Sequence, residues 1–182
     1  MKAKQLVLAA LFCALMVVGA YLHIPMPVIG SITLQTLFCF LCALLLPPSS
    51  ALLAMGAYLL LGLVGLPVFT FGGGLGSFAQ VTFGFILGFA VATPVGSFLY
   101  RRLQPRLKPW LAAVLTGLCE IAIIDILGAA YGYFLLNVYL GRAMDVWSVL
   151  WNFCLLFLPV DLLKLAVAVP VALRVQKSLR WR

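Results

Sequence analysis

Between Lys4 and Arg101 the chain is one apolar run after another, and none of Lys, Arg, Asp or Glu interrupts it. The breaks are short clusters of Pro, Gly, Ser and Thr, which punctuate helices and mark turns. They predict a first helix over Gln5–Leu22 and a loop from His23 to Ser31. A short second helix follows over Thr33–Leu46. Pro47-Pro48-Ser49-Ser50 reads as a tight turn, with Ser50 as the N-cap of a third helix over Ala51–Val64. After Gly65-Leu66-Pro67 and a glycine-rich loop, Gly72–Ser77, a fourth helix is predicted over Ala79–Leu99 and a fifth over Trp110–Tyr139. Ser148–Phe157 is a further apolar piece. Pro159 is expected to interrupt it, with a sixth helix running on to Val175.

With 65% hydrophobic and only 9% charged residues in 182, the chain has too little polar surface for a soluble domain. Its runs match the length of bilayer-crossing helices. The expected class is therefore all-α: a single polytopic membrane domain spanning residues 1–182 with six transmembrane helices. The net charge of +8 would raise the question of nucleic acid in a soluble chain. Here its placement explains it. Ten of the twelve basic residues fall at Lys2 and Lys4, at Arg101, Arg102, Arg106 and Lys108, and at Arg174, Lys177, Arg180 and Arg182. Six helices bring all three groups to one side, the cytoplasm by the positive-inside rule, with both termini there; five or seven helices would split them. The exceptions are Arg142, in an outer loop, and Lys164.

Several functions are excluded or weakened. No phosphate-binding Gly-Lys-Ser/Thr motif occurs, so the chain itself is not expected to hydrolyse ATP. The cysteines, Cys13, Cys39, Cys42, Cys119 and Cys154, are odd in number and lie in apolar segments. They read as small buried hydrophobes, and no metal or cofactor is expected. Met1-Lys2-Ala3-Lys4 followed by an apolar run imitates a signal peptide, but the helices that follow argue for a retained first span.

The candidate chemistry centres on Pro159-Val160-Asp161-Leu162-Leu163-Lys164. Asp161 and Lys164 stand three apart and share a helix face. Pro159 suits the first turn, where a carboxylate also meets the helix dipole favourably. The pair is either a self-neutralising ion pair or a site that offers a polar ligand one acceptor and one donor. Gly72–Ser77, with Gly74 at its centre, reads either as a flexible outer loop or as a lid over an outward-opening pocket. Glu120 and Asp125 lie in the fifth helix on different faces; a satisfied internal hydrogen bond is the simpler reading, a proton relay the sharper one. Gln35, Tyr58, Gln80 and Tyr131 are isolated polar groups in apolar helices or at their ends; taken singly each reads as structural, while several near the outer half could converge on one pocket. Small-residue steps at Gly84/Gly88 and Gly128/Gly132 allow close helix approach. Ala10/Ala14, near the cytoplasmic end of the first helix, is available to a partner protein.

These residues resemble a known family, the BioY proteins, which are biotin-binding S components of energy-coupling factor (ECF) transporters. The likeness extends over nearly the whole chain. Its most specific parts are Ile32-Thr33-Leu34-Gln35-Thr36, Gly65-Leu66-Pro67-Val68-Phe69 and Asp161-Leu162-Leu163-Lys164, joined by Ala10-Leu11-Phe12-Cys13-Ala14, Gly72–Gly76 and Gly84–Phe89. The resemblance implies the ECF S-component fold with an outward pocket for biotin as transported ligand, contacted by Asp161 and Lys164 and closed over by Gly72–Ser77. It implies that Ala10 and Ala14 dock onto a transmembrane coupling protein driven by two cytoplasmic ATPases, in the cell membrane of a prokaryote, and that the S component topples to present the ligand inward. The chain departs from the pattern at Val81, where a proline commonly precedes Thr82, and at Asp125, where a tyrosine is expected.

The residues fit biotin on their own chemistry as well. A ureido group needs an acceptor for N–H and a donor for C=O, which a carboxylate and an ammonium supply, although Lys164 can instead meet the valerate carboxylate. Phe69, Phe71 and Trp151 are candidates to enclose the apolar part. Three other readings stay open: an intramembrane enzyme using Glu120, Asp125 or Asp161, an S component for another small carboxylate such as lipoate, and a proton-coupled carrier working alone. The enzyme reading lacks a nucleophile–histidine pairing, since the one histidine, His23, lies far away in sequence.

Overall fold

The structure, a computed structural model, describes residues 3–26, 30–142 and 144–179. The apolar runs form helices α1 (Ala3–Tyr21), α2 (Gln35–Leu45), α3 (Pro48–Leu63), α4 (Phe83–Leu103), α5 (Pro109–Phe134), α6 (Val146–Leu150) and α7 (Leu158–Leu179). A π turn, Leu135–Tyr139, prolongs α5, and another, Trp151–Leu155, joins α6 to α7. Because α6 and α7 form one apolar rod over Val146–Ser178, the helical segments number six among the described residues, as the sequence predicts.

Three local expectations are corrected. The stretch from His23 to Ser31 is not all loop: β1 (His23–Pro25) pairs antiparallel with β2 (Ser31–Thr33), His23 opposite Thr33. Pro27, Val28 and Ile29, also expected in that loop, lie outside the described residues. Ser50 does not cap α3: Pro47 takes the N-cap position with Pro48 in the first turn, and the Ser50 hydroxyl is buried without a partner among the described residues. The fourth helix starts later than Ala79, because Leu75–Ala79 closes as a 3-10 turn and Gln80 is extended. Pro159 interrupts the apolar run as expected: it has no N–H for the carbonyl four residues back, and a turn at 156–157 separates the second π turn from α7, which starts at Leu158. The Leu156 N–H reaches back five residues to Trp151 O (3.0 Å) and the Phe157 N–H three residues to Cys154 O (3.2 Å).

Four segments, Ala3–Tyr21, Phe83–Leu103, Pro109–Tyr139 and Val146–Ser178, are long and apolar enough to cross a membrane. The other two are shorter than six full spans require. With 11 residues, α2 rises only about 16 Å, against a hydrocarbon core of about 30 Å. Its last carbonyls therefore end where no water satisfies them, at a cost of several kcal/mol for each unpaired group. Side chains fill the gap. The Ser97 hydroxyl donates to Leu46 O, and Gln176 Nε2 donates to Leu44 O at 2.7 Å while its Oε1 accepts from Tyr100 Oη at 3.0 Å.

These bonds gather the ends of α2, α4 and α7 beside Arg101, Arg102, Arg174 and Lys177. At the opposite end, Tyr21 Oη donates to Pro67 O, and the Leu34 N–H faces Gly19 O (3.2 Å) and Leu22 O (3.3 Å). That end carries the ribbon and the α3–α4 connection. Lys2, Arg180 and Arg182 lie outside the described residues.

The closest helix contact is between α4 and α5. A Cβ at Gly88 would stand 2.9 Å from Ile124 Cα and 3.2 Å from its carbonyl oxygen, and one at Gly84 would stand 2.8 Å from Leu127 O. On the other side Phe85 covers Gly128 and Phe153 covers Gly132. Both glycine steps thus serve internal packing, whereas Ala10 and Ala14 are exposed on α1. Of the cysteines, Cys13, Cys39 and Cys42 are buried, but Cys119 and Cys154 are only partly so, and all five are free.

Replacing Gly88 by Val puts new atoms against backbone that cannot move aside. The expected cost is about 1–3 kcal/mol or more, read as a lower melting temperature of the detergent-solubilised protein. Gly56, on α3, has nothing within 4 Å of its missing Cβ, and Gly56→Ala is expected to leave the melting temperature unchanged or raise it.

Candidate functional site

Where α2 begins and α7 has just passed its proline, three polar side chains close a ring. Thr36 Oγ1 donates to Asp161 Oδ1 (2.8 Å), Lys164 Nζ donates to the same Oδ1 (2.8 Å), and Lys164 Nζ donates to Thr36 Oγ1 (2.8 Å). Asp161 and Lys164 lie one helical turn apart on α7, and all three residues are buried. The bookkeeping of hydrogens is informative. An ammonium has three hydrogens and a carboxylate two oxygens. The ring uses two of the hydrogens and one of the oxygens. One Lys164 hydrogen and the Asp161 Oδ2 acceptor remain, and Oδ2 has no partner among the described residues.

This ring forms the polar floor of a cleft. Its walls are apolar and aromatic: Phe69, Phe71, Phe85, Ile86, Phe89, Ile124 and Phe157. Such a lining with few polar groups is the usual make-up of a small-molecule site. The rim adds Gly30, Ser31, Thr33, Thr70, Gln80 and Thr82. The irregular backbone between α1 and α2 and between α3 and α4 sits where it lines this cavity, which is where a membrane protein tolerates it.

A second network ties the cover of the cleft to its floor. Gln35, next to Thr36, donates from Nε2 to Tyr58 Oη (2.7 Å) and accepts at Oε1 from Thr70 Oγ1 (3.4 Å); Tyr58 Oη in turn donates to Val68 O (3.3 Å). Gln80 Nε2 donates to Phe71 O (3.3 Å). The segment from Val68 to Phe71 is thereby held from both sides. Phe69 packs edge-on against Tyr58 and lies over Gly62, where any side chain would collide with its ring.

Of the residues expected at the site, Asp161, Lys164, Gln35 and Gln80 line the cleft. Gly74 and Tyr131 do not, but both hold its cover. Gly74, at φ +91°, gives its N–H to Gly62 O (2.7 Å), and Tyr131 Oη donates to Phe78 O. Asp125 is buried but is not among the residues that line the cleft, and its backbone oxygen faces Cys154 Sγ (3.7 Å). Its side chain makes no hydrogen bond among the described residues. Glu120 is fully buried against Gly96, and neither of its carboxyl oxygens has a partner there, so the expected internal hydrogen bond is absent. Phe69 and Phe71 line the cleft as expected, whereas Trp151 lies in the second π turn, turned outward and exposed. Thr36 is the functional residue that sequence reasoning missed; its signal was a hydroxyl in the first turn of an otherwise apolar helix.

Comparison with known proteins bears on this arrangement. Residues 1–181 match the family model described as "BioY family". The chain is 40% identical over 145 residues to a probable biotin transporter BioY of Lysinibacillus sphaericus, covering 79% of this chain and 71% of that one. It is 36% identical over 175 residues to a biotin transporter BioY of Thermotoga maritima, covering 96% of each. Among solved structures, the S-component for biotin from an ECF-type ABC transporter superposes with a TM-score of 0.85 at 26% identity over the full length of both chains.

The ring also makes a stability prediction. Removing one member of a buried ion pair strands the other charge, at about 3–5 kcal/mol. Lys164→Met is expected to fall near the lower figure, because the freed Asp161 still borders an open cleft. The double variant Asp161→Asn/Lys164→Met is expected to recover part of the loss. Melting temperatures of the wild type, Asp161→Asn, Lys164→Met and the double variant in one detergent check this: a double variant that loses the sum of both single losses would show that the two charges do not interact.

Proposed function

The chain belongs to the BioY family, and on that footing we propose that it is the biotin-binding S component of an ECF-type transporter, taking biotin from outside the cell and delivering it inward without converting it. The observation that carries the reading is the unspent hydrogen-bonding capacity at the cleft floor. A ureido group presents N–H donors beside a C=O acceptor. Asp161 Oδ2 and the remaining Lys164 hydrogen offer the complementary pattern side by side. Charge-assisted bonds of this kind are short and directional. Phe69, Phe85, Phe89 and Ile124 supply the apolar walls that the sulfur-containing ring and alkyl chain require. Gln35 and Gln80 contribute by fixing the cover and bordering the ligand rather than by charge.

The orientation is read from charge. The end opposite the cleft carries Arg101, Arg102, Arg106, Lys108, Arg174 and Lys177, and by the positive-inside rule this supports a cytoplasmic side for that end and for the termini, in a prokaryotic cell membrane. The cleft then opens outward. The exposed Ala10/Ala14 face of α1 is the docking surface for a transmembrane coupling protein worked by two ATPases; small residues let a partner helix come close.

Binding to the purified protein tests the ligand. Biotin is expected to bind in preference to lipoate, with Asp161→Asn and Lys164→Ala each weakening it at least ten-fold, the loss of one charge-assisted bond. Equal binding of lipoate, or unchanged binding by both variants, would overturn the assignment. The docking surface is tested separately. Ala10→Leu/Ala14→Leu is expected to bind biotin normally but to lose ATP-dependent uptake when co-expressed with the coupling module. Undiminished uptake by that variant rejects the α1 surface.

A further inference from the structure

Asp161 and Lys164 cancel each other's charge across 2.8 Å. The cleft floor therefore offers polar contacts but no net charge. A ligand with a carboxylate, as biotin has under the reading above on which this inference rests, brings one negative charge that the floor does not balance. Beside the cleft lies a second, shallower depression. It shares Gly30, Phe71, Gln80 and Thr82 with the cleft, and its own lining adds Arg142 with Leu136 and Leu140. Among the described residues Arg142 and Lys164 are the basic side chains that line either space. The other described cations belong to the opposite end of the molecule.

The turn that presents Arg142 is built with care. Gly141 takes the left-handed conformation at φ +61°, and the Arg142 N–H bonds to Leu136 O at 2.9 Å. The Asn137 side chain bridges the turn, donating to Met144 O (3.1 Å) and accepting from the Met144 N–H (2.9 Å). The nearest carboxylate in sequence, Asp145, is engaged elsewhere. Both of its oxygens accept from Ser148, at 2.6 Å from the hydroxyl and 3.1 Å from the N–H, capping α6. These bonds hold its carboxyl below the ordinary range. Asp145 therefore remains an anion and moderates the local field, but it makes no ion pair with Arg142 among the described residues. The guanidinium keeps its planar set of donors for a carboxylate.

We propose that Arg142 forms the carboxylate-receiving subsite of this protein: the ligand's polar ring meets Asp161 and Lys164 at the floor, its chain runs out past Phe71, Gln80 and Thr82, and its carboxylate ends on Arg142 at the mouth. Two charges then find separate partners. The floor reads the ring, and the mouth reads the acid.

The test measures binding of biotin and of its neutral amide, biotinamide, to the purified full-length protein and to Arg142→Gln, with Arg106→Gln, at the opposite end, as control. Equilibrium affinities and dissociation rates are taken at low and at physiological salt. The wild-type protein is expected to prefer the acid over the amide by roughly ten-fold, the scale of one charged hydrogen bond. In Arg142→Gln that preference is expected to vanish through faster biotin dissociation, with amide binding unchanged, while Arg106→Gln behaves as wild type. A wild-type preference for the acid that survives in Arg142→Gln overturns the subsite. So does an effect confined to the association rate at low salt, which marks long-range steering rather than contact. No binding of either compound by the wild-type protein removes the biotin reading itself, and this inference with it.

Discussion

A charged pair can persist inside an apolar bundle only if its desolvation is offset, and here a threonine hydroxyl completes the compensation. Without Thr36, Lys164 and Asp161 would satisfy only each other. With it, α2 and α7 are joined at their polar ends across a sequence separation of 125 residues, and the pair is fixed with one acceptor and one donor to spare. The rest of the cleft follows from this joint. The first turn of α2 must lie level with the first turn of α7. That sets the height of the ribbon above it and puts Gln35 in reach of Tyr58 and Thr70. Residual hydrogen-bonding capacity, rather than the presence of charge, makes the site fit for a neutral polar ring.

Much of this was legible in the sequence because charges are so rare in it. In a chain with four acidic residues, two that sit in helix interiors and one that stands a turn from a lysine announce themselves. The six-helix count followed from where the basic residues lie, and the Asp161–Lys164 pair followed from helical spacing alone. What stayed hidden depended on partners remote in sequence. The hydroxyl of Thr36 stands out in an apolar helix, but nothing in the sequence names its partners as Asp161 and Lys164, or marks Gln176 as the side chain that completes α2. The interruption at Pro159 was legible, but the π turn that leads up to it, Trp151–Leu155, has no sequence pattern that places it. The internal hydrogen bond expected for Glu120 is absent because its neighbour is Gly96, which has no side chain to supply one.

The two glycine steps and the two glutamines divide the labour of holding the cleft. Gly84 and Gly88 draw α4 onto α5 until backbone meets backbone, which sets Phe85, Ile86, Phe89 and Ile124 as a wall of fixed width. Gln35 and Gln80 act on the other side, where the chain is irregular and has no helix ladder to steady it. The wall is held by van der Waals contact with no freedom to spare. The cover is held by a few hydrogen bonds, among them the 3.4 Å contact of Thr70. Motion that admits a ligand is therefore cheaper in the cover than in the wall.

The crowding of cations at one end has a further consequence, which concerns electrical work. In the proposed orientation Lys4, Arg101, Arg102, Arg106, Lys108, Arg174 and Lys177 stand on the negative side of the membrane potential. Carrying a unit charge across costs about 2.3 kcal/mol per 100 mV, so moving all seven out would cost roughly 16 kcal/mol at that voltage. Any tilting of the domain that turns the cleft inward must therefore pivot about this end and leave its charges at the surface. In that orientation the potential would act as a hinge pin, leaving the net-neutral cleft end free to move and holding the basic end where it is.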